Sequence, residues 1–80
     1  MTKIILFTST VPHSVDIFAP VFEMSISVCD FEGECDIQAT ENPLTLRIEL
    51  TPENPMNKSQ WDSLLTGLRK QFAGATIVLE

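Results

Sequence analysis

Apolar and polar residues alternate from Phe22 to Asp30: Phe22, Met24, Ile26 and Val28 take one parity, Glu23, Ser25, Ser27 and Cys29 the other. A period of two predicts a half-buried strand. After a turn at Phe31-Glu32-Gly33, Cys35, Ile37 and Ala39 alternate with Asp36, Gln38 and Thr40. Glu41-Asn42-Pro43 supplies a second turn, and Leu44, Leu46, Ile48 and Leu50 alternate with Thr45, Arg47 and Glu49. Three strands joined by short turns predict an antiparallel meander with one wet face.

The flanking segments read differently. Residues 2–8 predict a strand with apolar side chains on both faces, Ile4 and Leu6 on one, Ile5 and Phe7 on the other. Residues 9–21 hold Pro12 and Pro20. Proline displaces its preceding residue from helical geometry, so a lid-like connection with one helical turn near Ser14 is expected. After Thr51–Pro55, a helix is marked by Asn57 as cap, Gln60 as reciprocal capping-box partner and Met56 with Trp61 as a hydrophobic staple. Trp61, Leu64, Leu65, Leu68 and Phe72 share one of its faces. Arg69 and Lys70 complement the C-terminal end of its dipole, and Gly74 suits its exit. Gly67, costly inside a helix, points to close packing against the sheet. Residues 75–79 predict a closing strand, parallel to the fourth after a helical crossover, with the first and last strands as central neighbours.

The resulting fold class is α+β: one domain over residues 1–80, with a mixed, mainly antiparallel sheet of about five strands in the order β-[loop]-β-β-β-α-β. One amphipathic helix covers one face. The second face then needs residues 9–21 or another chain.

Cys29 and Cys35 would flank the first hairpin. A three-residue loop would set them opposite each other but put the strands' apolar side chains on opposite faces. Pairing Asp30 with Cys35 and Val28 with Ile37 keeps all apolar groups together, and mispaired core residues cost roughly 1.5–3 kcal/mol each. Two free thiols follow, Cys29 on the wet face and Cys35 on the buried one.

Composition narrows the function. A chain of 80 residues buries only about 60% of its unfolded surface. No apolar run approaches the ~20 residues of a membrane span, and no secretory signal pattern is seen, so the cytoplasm is the expected compartment. The net charge of −6 is concentrated: residues 16–53 carry nine acids and one base, Arg47. Phosphate contacts need Lys and Arg, so direct nucleic-acid binding is not expected; a protein partner with a basic surface is.

Chemistry is scarce. His13 is the only histidine and has no nucleophile placed beside it by any motif. C-x5-C with one distant histidine fits no usual zinc spacing. Asp30, Glu32, Glu34 and Asp36 lack the pattern of a calcium loop. With three glycines there is no phosphate-binding or dinucleotide fingerprint. No enzyme activity, cofactor or metal is expected, and no membrane partner. Asp30, Glu32, Glu34, Asp36, Gln38, Arg47 and Glu49 form the candidate partner-binding set, on the hairpin tip and outer meander face.

In its small size, its lack of enzymatic parts and its acidic strands, the chain resembles in type the compact inhibitors made by phages and mobile elements. That resemblance implies an inhibitor or adaptor acting on a basic, nucleic-acid-binding machine such as a host defence system, in the infected cell's cytoplasm. The alternative is a structural or assembly subunit acting through homo-oligomerisation or within a larger complex.

Overall fold

The computed structural model describes residues 1–80. Its elements run β1 (Lys3–Thr8), α1 (Val15–Val28), β2 (Gly33–Ala39), β3 (Thr45–Pro52), α2 (Lys58–Gln71) and β4 (Thr76–Leu79). The α+β class holds, but the sheet has four strands in the order β2-β3-β1-β4, every neighbouring pair antiparallel, and there are two helices. β1 and β2 point the same way with β3 between them; β3 and β4 point the same way with β1 between them. Each β-α-β unit thus leaves a gap one strand wide, which the other unit fills. This is the split βαβ, or ferredoxin-like, arrangement. It is a connectivity and carries no function of its own.

The main correction concerns residues 15–28. The predicted strand over residues 22–30 and most of the predicted lid are one helix, α1. Phe18, Phe22, Ser25 and Ile26 are its buried residues, at the i, i+4, i+7 and i+8 spacing of a helical face. Phe22 and Ile26 fit both periods, which is why alternation was misleading. Pro20 lies inside the helix. It removes one bond, to the Asp16 carbonyl, just past the first turn, whose donors have no intrahelical partner anyway. The reason a helix wins is width. Four strands about 4.8 Å apart exceed the roughly 10 Å breadth of one helix, so α2 alone would leave half the apolar sheet face wet.

Alternation within the strands sorts the two faces. Ile5, Phe7, Leu46, Ile48, Leu50 and Ile77 are buried on the helix side. There they meet Phe18, Phe22 and Ile26 of α1 and Trp61, Leu64, Leu65 and Leu68 of α2 in a single core. Phe7 packs on Phe18 with ring centroids 4.7 Å apart and on Phe72 at 5.2 Å.

The hairpin β2–β3 is present, with Cys35 opposite Leu50 and Ile37 opposite Ile48. The proposed pairings of Asp30 with Cys35 and Val28 with Ile37 do not exist, because their first strand does not. β4 lies beside β1 as expected, yet at an edge, and it runs parallel to β3 without touching it. Neither residues 9–21 nor any other part of the chain covers the second sheet face.

Local signals at α2 are realised in detail. The Asn57 side-chain oxygen accepts from the Gln60 backbone at 2.9 Å, and the Asn57 backbone donates to the Gln60 side chain at 2.8 Å. Gly67 does mark a close approach, but to α1: a Cβ there would meet Cys29 Sγ at 2.8 Å. Arg69 donates from Nε and Nη2 to the Ile77 carbonyl, at 3.1 and 2.8 Å, tying the helix to edge strand β4. The exit after Phe72 needs no left-handed glycine, since Gly74 does not have a positive φ.

Candidate functional site

The uncovered sheet face is where most of the expected binding residues meet. Register places Val78, Leu6, Arg47 and Gln38 in one row across β4, β1, β3 and β2, and Ile4, Glu49 and Asp36 in the next. Glu34 opposite Thr51 extends the face at one end, and the Thr8–Thr45 hydroxyl pair at 2.9 Å closes the other. The face is therefore divided. Its β1–β4 half is aliphatic; its β2–β3 half is polar and acidic.

Arg47 is the only base on this face, and it is already engaged. Its Nη1 lies 2.6 Å from Glu49 Oε1, with both side chains about one-third exposed (32% and 34%). Gln38 Nε2 donates to Asp36 Oδ2 at 3.0 Å, holding that carboxylate along the edge strand. Glu34, Asp36 and Glu49, together with Glu23 from α1, line an open groove of ≈ 440 Å³ along β2. Cys35 sits in the same groove, half-buried. Burial first, then the Glu23 and Asp36 charges, push its thiol up to about 12.

Asp30 and Glu32 are not part of this face. Asp30 ends α1 with φ 63, and Glu32 follows in the connection, its carbonyl accepting from the Glu53 backbone at 2.9 Å. Asp30 borders a different groove, of ≈ 370 Å³, between the end of α1 and α2. The expected acidic hairpin tip is thus a helix terminus.

Ser25 and Cys29, expected on the wet face of a strand, belong to α1 and its C-terminal cap. Ser25 is buried, its hydroxyl donating to the Val21 carbonyl at 3.0 Å and its own carbonyl accepting from Gln71. Cys29 caps α1 against Gly67, with Gln71 Nε2 3.1 Å from its sulfur. Both thiols are free. His13 packs beside Phe18, centroids 5.3 Å apart, before the start of α1. Cys29 follows the other end of that helix, about 21 Å away by its rise per residue, so they form no dyad.

The apolar second face expected from the parity of β1, to be covered by residues 9–21 or by another chain, is present as Ile4, Leu6 and Val78 and is left open by residues 9–21. One feature escaped the sequence reading: Met24 and Val28 were expected on a strand's buried face and are 71% and 70% exposed on α1. The helical period of residues 17–28 held its signal.

No three His, Cys, Asp or Glu side chains converge as a metal site, and no helix is long and apolar enough to cross a membrane. No protein-family model, curated protein or solved structure matches the chain.

Proposed function

We propose that this domain is a non-enzymatic protein-binding module, an inhibitor or adaptor that presents its open sheet face to a partner with a basic surface. One observation carries the reading. A face that nothing in the chain covers sets Ile4, Leu6 and Val78 beside Glu34, Asp36 and Glu49, with its single guanidinium internally paired. An apolar strip flanked by carboxylates suits a protein surface with an apolar centre and Lys or Arg at its rim. It repels phosphate. Blocking the basic groove of a nucleic-acid-binding machine is the role such a surface fits, as a phage or mobile element would use it against host defence in the host cytoplasm.

The test is affinity capture from the native host with wild type, with the Glu34→Lys/Asp36→Lys double variant and with Leu6→Asp. A specifically captured basic protein should be lost with both variants, and its retention should weaken as salt rises. Capture indifferent to charge reversal and to salt would sink the proposal.

A further inference from the structure

The outer side of α1 carries a second apolar surface. Ile17, Val21, Met24 and Val28 are 75%, 52%, 71% and 70% exposed, and their spacing of four, three and four residues aligns them in one stripe. Scattered exposed hydrophobes mean little, whereas a contiguous stripe marks an interaction surface. With Phe18, Phe22 and Ile26 in the core, α1 is apolar on two sides, as a helix is when it is covered on both.

We infer that this stripe is the seam of a two-fold symmetric dimer, occupied by α1 of a second copy. The inference does not depend on the open sheet face. Spacing of four, three and four is the a/d pattern of a coiled-coil seam, and it reads the same in both directions. When a second α1 lies antiparallel, Ile17 meets Val28 of the second copy and Val21 meets Met24, as an isologous interface requires. Antiparallel pairing also sets each helix's positive end beside the other's negative end. That matters here because the last turn of α1 has no basic side chain.

Charge argues against a foreign helix as occupant. The positions immediately flanking the stripe are Pro20 and Ser27 on one side and Phe18 and Ser25 on the other, none charged. Flanking charges are what select a different partner. Glu23 stands further round, where it comes beside Glu23 of the second copy, a repulsion that salt screens. Two helices about 21 Å long, with the chain around them, bury on the order of 1,000 Å² in total, where specific interfaces begin. Since α1 lies on the side of the sheet opposite the open face, the dimer would carry two open faces outward and bind bivalently.

Sedimentation velocity of the full chain, at protomer concentrations up to about 100 µM and at about 50 and 500 mM salt, tests this. A species of twice 8.9 kDa is expected, its fraction rising with salt, the opposite of the trend for a basic partner on the sheet. Met24→Glu and Val28→Glu, both on exposed side chains, should leave the helical circular dichroism intact and abolish the dimer; Met24→Leu should keep it. A monomer at every concentration in both salts would overturn the inference, as would a dimer that survives both glutamates. So would a monomer that binds a Lys-rich amphipathic helical peptide on this stripe. Partner capture that is indifferent to charge reversal on the sheet and to salt, with the dimer intact, would instead refute only the sheet-face reading.

Discussion

Asp30 holds φ 63, a left-handed conformation that costs most side chains about 1 kcal/mol. The Phe31 backbone donates to the Ile26 carbonyl and that of Asp30 to the Ser27 carbonyl, each at 3.0 Å, and Phe31 and Ile26 are both buried. These bonds and that contact make a Schellman termination, with aspartate where glycine usually sits. Asp30→Gly should therefore stabilise the fold by about 1 kcal/mol in urea unfolding and leave partner binding unchanged. Gly67 presents the converse case. Alanine there gains about 1 kcal/mol of helix propensity but collides with Cys29 Sγ. Gly67→Ala alone is expected to destabilise, and in the background of Cys29→Ala to stabilise; additive effects would show that the two residues do not touch. Cys35 adds a pH dependence. Unfolding lets its thiol ionise at the ordinary 9.0, while the folded thiol keeps its proton up to about 12. Between these values the unfolded chain binds fewer protons, so stability falls as pH rises above about 9 and is unaffected by this group below. Thermal midpoints from pH 7 to about 11 should show a decline that Cys35→Ala lessens.

At the scale of elements, legibility followed how many independent signals agreed. α2 has a cap, a capping box, a staple and a five-residue apolar face, and all point to one helix. Asn57→Ala should cost it about 1 kcal/mol, read as a lower denaturation midpoint. For α1 the signals conflict: Pro20 and the alternation after Phe22 favour extended chain, while Phe18, Phe22, Ile26 and Cys29 favour a helix. Packing resolves the conflict. Pro20→Ala restores the donor facing the Asp16 carbonyl and should stabilise by about 1–2 kcal/mol; no gain would mean that the helix end is frayed there. Gly33, with φ +152, lies so close to the Thr51 carbonyl and Pro52 that no side chain fits. It fixes how the chain leaves α1 and joins the hairpin.

For the molecule as a whole, each apolar stretch states that it must be buried but not against what. Strands β2 and β3 were legible because a short turn leaves adjacent segments little choice but to pair. The insertion of β3 between β1 and β2 was not, because it is a long-range outcome shared by two crossovers. Of the expected binding residues, Glu34, Asp36, Gln38, Arg47 and Glu49 share a face because hairpin parity dictates it. Asp30 and Glu32 left the set once their hairpin became a helix end.

The sequence by itself determined the α+β class, the β2–β3 hairpin and its wet face, the capped helix α2, and the concentration of acid between residues 16 and 53. These rest on contacts between neighbours in the chain or on composition. Tertiary structure alone decided that residues 15–28 are helical, that both helices share one side of the sheet, and that Ile4, Leu6 and Val78 stay uncovered. The physical reason is area. A four-stranded apolar face needs two helices to keep water out, and both helices within residues 1–80 are used on that side, leaving none of these elements for the other.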